Sequence, residues 1–169
     1  MRSRISMRAV LLVFLLIGGL ILCLAFIIST NNQTPYDYLK KSNNDEVTAP
    51  SELLYQETMD TGISIVFYIN QRGKYDCAIM EDAFIGYNTV GYSGSLDIND
   101  ADTYLYGSFA NNQKKQDICW GILVDDSITE VFLDNEPCAI VDVAYRDFRI
   151  FWLIGLWEDV PSLTTNLHS

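Results

Sequence analysis

The stretch ISIVFYINQRGKYDCAIM, residues 63–80, decides the fold of this chain. Two runs rich in β-branched and aromatic residues flank the turn signal Arg72-Gly73, and this pattern is typical of a β-hairpin. Gly73 supplies the conformational freedom that a tight reversal between antiparallel strands requires. The sequence therefore predicts two paired antiparallel strands near the centre of the chain.

Short apolar strands separated by turn residues continue on both sides of this hairpin. A second hairpin is predicted from Ile128 to Val143 around Asp134-Asn135, because Asn and Asp tolerate a positive φ, and Pro137 indicates an edge position there. The run 150–156 is apolar on both faces and is predicted to be a central strand. The predicted strands are 53–58, 63–69, 75–80, 85–92, 104–110, 118–124, 128–133, 138–143 and 148–156. This organisation favours an all-β domain of the antiparallel β-sandwich type.

An unbroken apolar run, residues 9–28, precedes this domain and predicts one N-terminal transmembrane helix. Twenty residues at about 1.5 Å each cover the roughly 30 Å hydrocarbon core of a bilayer. Residues 29–33 carry no charge, whereas basic residues precede the run at Arg2, Arg4 and Arg8. The positive-inside bias therefore places the N-terminus in the cytoplasm and the C-terminal domain outside the cell membrane.

A cleaved signal peptide is the alternative to this anchor. Cys23-Leu24-Ala25 has small residues at the two positions that a signal peptidase reads, which would place the cut after Ala25. The apolar run continues through Ile28, however, and exceeds the usual length of about 7 to 15 residues for a signal peptide. The length favours an uncleaved anchor.

Changes in composition along the chain indicate where its segments begin and end. Residues 29–50 are rich in Asn, Thr, Ser and Lys and contain two prolines, so they are expected to form a polar stalk, with a short helical turn at 36–41. The predicted segments are a cytoplasmic basic flank at 1–8, the transmembrane helix at 9–28, the stalk at 29–50, a β-rich extracytoplasmic domain at 51–159 and a tail at 160–169.

The region beyond the apolar run is strongly acidic. It contains all 22 acidic residues of the chain and eight of the 11 basic ones, which gives it a net charge of −14. Such a domain repels nucleic acid and anionic lipid. Nucleic acid is therefore not an expected partner, whereas solubility explains the charge without any ligand.

Three cysteines lie beyond the apolar run, and an odd number cannot all pair within one chain. Each lies in or beside an apolar stretch, which favours buried thiols that act as small hydrophobic residues. If a disulfide forms, the preferred pair is Cys119 with Cys138. The sequence itself cannot choose among the bridges that Cys77, Cys119 and Cys138 allow.

The sequence lacks the motifs by which common catalytic and cofactor sites are recognised. The single histidine, His168, is next to the C-terminal residue, which disfavours histidine-dependent catalysis and histidine-ligated zinc. Because the sequence also lacks a Gly-rich phosphate loop and a Cys-x-x-Cys pair, no cofactor and no enzymatic activity are predicted. The carboxylate pairs Glu81-Asp82 and Asp125-Asp126 leave one enzymatic alternative, a hydrolase of cell-wall polymer.

The acidic loop 97–102 offers oxygen ligands for calcium. It does not match an EF-hand loop, since Ala101 and Asp102 occupy ligand position five and the glycine position six. A solvated acidic turn is the simpler interpretation, and the candidate calcium ligands are Asp97, Asn99, Asp100 and Asp102.

Tyrosines bracket this acidic loop and offer an aromatic surface for a sugar or a peptide. Tyrosine is equally common within strands, where its hydroxyl lies at the rim, so cross-strand packing is the simpler interpretation. The residues concerned are Tyr87, Tyr92, Tyr104 and Tyr106.

A resemblance to one group of proteins rests on apolar and glycine positions in residues 53–154. These positions are Gly62-Ile63-x-Ile65-Val66-Phe67-Tyr68, Phe84-Ile85-Gly86-Tyr87, Trp120-Gly121-Ile122-Leu123, 128–141 and Arg149-x-Phe151-Trp152. In them the chain resembles uncharacterised small membrane-anchored envelope proteins of Gram-positive bacteria. The resemblance implies an N-terminal anchor and a β-rich ectodomain, and it implies no activity and no site residue.

The sequence thus predicts a single-pass membrane protein that contacts the lipid bilayer through residues 9–28. Its extracytoplasmic domain is expected to act as a binding or assembly module for an envelope protein or a glycan. The alternatives are the carboxylate hydrolase and a structural or regulatory subunit of a membrane complex. The first interpretation is an analogy with other β-sandwiches, since a fold does not specify a function.

Overall fold

The fold is mostly β with one N-terminal apolar helix, in a computed structural model that describes residues 7–43, 45, 48–97, 104–111 and 114–166. The helices in this part of the chain are α1 (Met7–Asn31) and α2 (Pro35–Ser42). The strands are β1 (Pro50–Thr58), β2 (Ile63–Asn70), β3 (Tyr75–Asp82), β4 (Tyr87–Leu96), β5 (Tyr104–Asn111), β6 (Lys114–Leu123), β7 (Val131–Leu133), β8 (Glu136–Pro137), β9 (Ala139–Asp142), β10 (Arg149–Gly155) and β11 (Leu163–Thr165).

The first sheet is an antiparallel meander in the order β1-β2-β3-β4. The β2 and β3 strands pair from Ile63 opposite Glu81 to Ile69 opposite Tyr75, which confirms the predicted central hairpin. At its turn Gly73 has a φ of +75°, and the side-chain oxygen of Asn70 accepts hydrogen bonds from the backbone amides of Arg72 and Lys74. Gly73 therefore adopts the backbone conformation that the sequence analysis expected of a glycine in this turn.

The second sheet has the order β5-β6-β10-β9 and is also antiparallel. In it β10 lies between β6 and β9, which confirms the predicted central strand. A small third sheet has the order β11-β7-β8, so Pro137 in β8 lies at an edge, as predicted. The Asp134-Asn135 turn between β7 and β8 has φ values of +50° and +69°.

One hydrophobic core joins the first two sheets. The buried side chains of Ile65 and Phe67 from the first sheet belong to the same cluster as Trp120 and Ile150 from the second. The rings of Phe67 and Trp120 have centroids 5.2 Å apart. Trp120 and Trp152 are both buried in this core.

Helix α2 covers the other face of the first sheet. Thr34 caps it by accepting a hydrogen bond from the amide of Asp37, and Pro35 begins its first turn. Leu39 is fully buried in a cluster with Val66, Tyr68, Ala78 and Met80. The predicted helical turn at 36–41 is present, but this part of the predicted stalk at 29–50 packs against the sheet and is not surrounded by solvent. Only three residues, 32–34, separate α1 from α2.

The third sheet covers the outer face of the second. Phe151 of β10 and Leu123 of β6 are buried in a cluster with Val131 of β7, and Leu163 of β11 packs against it.

Two predictions about this part of the chain need correction. The hairpin predicted from 128 to 143 extends only from β7 to β8, because β9 leaves to pair with β10. The predicted tail, 160–169, includes β11, which pairs with β7.

Candidate functional site

The predicted calcium loop lies largely outside the described residues. Asn99, Asp100 and Asp102 fall there, as does His168, the one histidine. Asp97 lies at the end of β4, where it forms an ion pair with Lys74. Within the described part of the chain, no three acidic, cysteine or histidine side chains form a group that could hold a metal ion. The calcium site stays a prediction.

Asp125 of the predicted carboxylate pair stabilises a turn. Its carboxylate accepts hydrogen bonds from the amide of Ser127 at 2.8 Å and from the Ser127 hydroxyl at 2.5 Å, and these bonds lower the pKa of Asp125. Its neighbour Asp126 is exposed. Glu81 and Asp82 are consecutive residues at the end of β3, so their side chains point to opposite faces of the sheet.

The four tyrosines have different surroundings. Tyr87 is half-buried and packs edge-on against Tyr38 of α2, with ring centroids 5.8 Å apart. Tyr92 is half exposed on β4, and Tyr104 and Tyr106 lie in β5. Tyr87 therefore serves in the contact between α2 and the first sheet, which differs from the cross-strand packing expected from the sequence.

The three cysteines of the β domain carry free thiols in this structure. Cys77 and Cys119 are buried and Cys138 is half-buried, and burial raises the pKa of both Cys119 and Cys138 to about 12. Cys119 pairs with Leu153 of β10, while Cys138 comes directly before Ala139, which pairs with Trp152 on the other side of β10. Cys138 lies outside β9, its amide donates a hydrogen bond to the carbonyl of Val131, and its thiol adds to the rise in the pKa of Cys119.

A buried polar cluster that the sequence analysis did not single out lies beside the first turn. Asp76 is 4% exposed and accepts hydrogen bonds from Asn70 at 2.8 Å and from the Ser95 hydroxyl at 2.6 Å. Burial raises the pKa of Asp76, and the two hydrogen bonds act against this rise. Because Asn70 also holds the turn amides, the cluster fixes the end of the β2–β3 hairpin. Asp76 pairs with Tyr68, two residues before Asn70, so the two polar side chains lie on the same face of the hairpin, and this spacing was the available signal.

A groove of about 270 Å³ lies between the third sheet and β9. It lies beside β8 and β9, and among the described strands each of these pairs on one side only. We call it the β8–β9 groove, and its lining residues are Thr129, Glu130, Val131, Phe132, Pro137, Cys138 and Ile140. Its lining combines the apolar side chains of Val131, Phe132 and Ile140 with the polar residues Thr129 and Glu130.

A second recess lies where α1 meets the first sheet. The turn between β3 and β4 contacts the end of α1, because the Asn31 side chain accepts a hydrogen bond from the amide of Gly86 at 3.1 Å. A cavity of about 220 Å³ beside this bond is lined by Asn31, Asp82, Ala83, Gly86 and Tyr87. We call this contact the helix–hairpin junction. It could not be anticipated from the sequence, since its partners are 55 residues apart.

Helix α1 contributes no buried surface to the β domain along its apolar span. The most apolar 18-residue window of the candidate span Leu11–Asn31 has a mean hydropathy of 3.2, and none of its residues is buried. The helix is long and apolar enough to cross a membrane, and a signal sequence shares these properties.

No protein-family model matches this chain, and neither a curated protein nor a solved structure matches it.

Proposed function

We propose that this chain is a single-pass membrane protein whose extracytoplasmic β-sandwich acts as a binding or assembly module. The observation that carries the proposal is the exposure of α1. A helix with side chains such as Leu22 and Phe14 more than two thirds exposed needs an apolar environment that the β domain does not supply. A bilayer supplies it, and about 1.5 Å per residue makes the span long enough.

The orientation follows from charge. The basic residues Arg2, Arg4 and Arg8 precede the helix, and the domain that follows it carries a net charge of −14. Positive charge favours the cytoplasmic side, so the β domain lies outside. Residues 9–28 then provide the contact with lipid.

The sandwich arrangement is supported by the shared core. Side chains of both four-stranded sheets enter one cluster, and the Phe67 and Trp120 rings meet across it. Two antiparallel sheets that bury their inner faces against each other form a sandwich. In such a domain the exposed edges and loops are available for recognition.

The β8–β9 groove is the proposed recognition surface. Strand β9 pairs with β10 on one side only, so its other edge offers backbone amides and carbonyls to an added strand, and Phe132 and Ile140 offer apolar contacts beside it. The domain's negative charge favours a neutral or basic partner over an acidic one. An extended segment of an envelope protein fits this combination.

Site-specific photo-crosslinking in the native membrane tests the module. Benzoylphenylalanine replaces Phe132 in the groove, and in a control it replaces Tyr145, which is fully exposed on the β9–β10 turn. We expect a discrete adduct from position 132 and none from position 145. Equal adducts at both positions, or none at 132, would contradict a specific partner in the groove.

The mass of the membrane-extracted chain tests the anchor. An intact N-terminal sequence recovered from the membrane supports the single-pass assignment, whereas a chain that begins at Phe26 would show cleavage after Ala25. A protease added to intact cells should degrade the β domain and spare residues 1–8. The reverse pattern would contradict the orientation.

A further inference from the structure

Phe84 is an unusually exposed aromatic side chain. It lies in the β3–β4 turn and is 87% exposed, while Ala83 and Ile85 beside it are half-buried and Gly86 is buried. The turn is therefore held in place by its other residues and presents a single large apolar group outward. A lone exposed phenylalanine by itself is ordinary, so its location decides what it means.

The turn is fastened to the end of α1 by several contacts. Asn31 accepts the hydrogen bond from the Gly86 amide, and Thr30, 9% exposed, is buried at the same place. A Cβ on Gly86 would lie 2.3 Å from Tyr38 Cε2 and 3.1 Å from Thr30 Cγ2, so the backbone of the turn approaches both helices closely. The position of Phe84 relative to α1 is thus fixed by packing.

Phe84 lies at the end of the domain where α1 enters it. The β1–β2 turn is at this end too, because the amide of Asp82 donates a hydrogen bond to the carbonyl of Gly62. The β9–β10 turn is at the opposite end, since Arg146 forms an ion pair with Glu52 near the start of β1. Tyr145 on that turn is as exposed as Phe84 but far from α1.

We propose that the β3–β4 turn makes a second contact with the membrane, with Phe84 inserted among the lipid headgroups beside α1. The inference rests on the proposed function, in which α1 spans the bilayer. Burial of a phenylalanine side chain at the boundary between headgroups and acyl chains removes its apolar surface from water, and the junction places the turn beside the end of α1. Because Asp82 flanks the turn and the domain is acidic, the contact is apolar and does not require anionic lipid.

Lipid-attached quenchers test this contact on the full chain in phosphatidylcholine vesicles. A polarity-sensitive fluorophore is attached to Phe84→Cys and, as the matched control, to Tyr145→Cys, in a background with Cys23→Ala and Cys138→Ala. Cys77 and Cys119 are fully buried and stay unlabelled in the folded protein. The natural Cys23, which lies in the C-terminal half of α1, carries the same fluorophore in a third sample and reports on the anchor itself.

Headgroup-level quenchers should reduce emission at position 84 at least threefold more than at position 145, in vesicles without anionic lipid. Equal quenching at 84 and 145, together with deep quenching at Cys23, would overturn the second contact and leave the anchor intact. A fluorophore at 84 that is shielded from water but not quenched by lipid would indicate contact with a second protein copy and would also overturn it. Absence of quenching at Cys23 would instead overturn the anchor and this inference with it.

Discussion

Two apolar runs of this chain have opposite surroundings. In α1 most of the described large side chains are exposed, whereas in β10 Ile150 and Phe151 are almost completely buried. A helix satisfies its own backbone hydrogen bonds and can face lipid on all sides, but a strand with both faces buried needs hydrogen-bonding partners on both edges. In β10 those partners are β6 and β9, and both faces are covered by protein. Run length, about 20 residues against seven, separates the two environments.

The largest effect that tests this difference is expected in β10. Ile150→Ala removes a fully buried side chain from the main core and should lower the free energy of unfolding by about 3 to 4 kcal/mol. Leu20→Ala in α1 removes a side chain of the same volume and should leave the unfolding of the β domain unchanged. Denaturant titration of the full chain in detergent, followed by tryptophan fluorescence, measures both. A comparable loss in Leu20→Ala would show that α1 stabilises the domain.

A charge in the middle of α1 should have the converse effect. Leu20→Arg is expected to reduce membrane insertion by roughly 2.5 to 3.5 kcal/mol, because a charged side chain is costly at the centre of a bilayer. Carbonate extraction of membranes measures the inserted fraction, and Leu20→Met serves as the control. Full insertion of Leu20→Arg together with loss of the folded β domain would reverse the roles assigned to the two regions.

The helix–hairpin junction joins the end of α1 to the β domain. The stability of the domain should respond to a single methyl group added there. Gly86→Ala is expected to destabilise the domain by about 2 kcal/mol, since Gly86 has a φ of +70° and the new Cβ would clash with Tyr38. Gly73→Ala is the matched control, because its φ is +75° but no atom lies within 4 Å of the new Cβ. Thermal unfolding should show the smaller loss, about 1 kcal/mol, for Gly73→Ala. Equal losses would mean that the contact with α2 contributes nothing.

The smallest effect concerns the third sheet, which covers the outer face of β10. The amide and hydroxyl of Ser162 donate hydrogen bonds to Asp134 and lower its pKa below the usual 3.8. A carboxylate with a lowered pKa stabilises the fold above about pH 4, and this contribution is lost as the pH falls through the folded-state pKa. In Asp134→Asn the melting temperature should therefore depend less on pH below 4 than in the wild type. Asp126→Asn, which removes the same charge from an exposed loop, is the control, and an identical pH profile in wild type and Asp134→Asn would contradict the prediction.

Strands with continuous apolar sequence could be predicted with their partners. The β2–β3 hairpin and the central position of β10 follow from the alternation, the turn residues and the absence of polar interruptions. Burial of Trp120 and Trp152 follows in the same way. In each case local preference and tertiary packing favour the same structure.

Elements that depend on buried polar residues, or on few apolar ones, could be predicted only in part. Strand β6 begins at Lys114, four residues before the predicted start, because Asp117 is buried and accepts a hydrogen bond from the amide of Trp157. Helix α2 contributes one fully buried aliphatic residue, Leu39, too few for an apolar periodicity to indicate where it packs. The helix–hairpin junction joins residues far apart in sequence, and local patterns carry no information about it.

The three-residue link between α1 and α2 limits how far the β domain can reach. Its anchored end packs at the junction, and strands of eight residues at about 3.3 Å each make the domain only about 26 Å tall. If α1 spans a bilayer as proposed, a domain held this way cannot search the space above the membrane as one on a flexible tether would. The proposed partner would then be embedded in the same bilayer or would present a segment within about 30 Å of it.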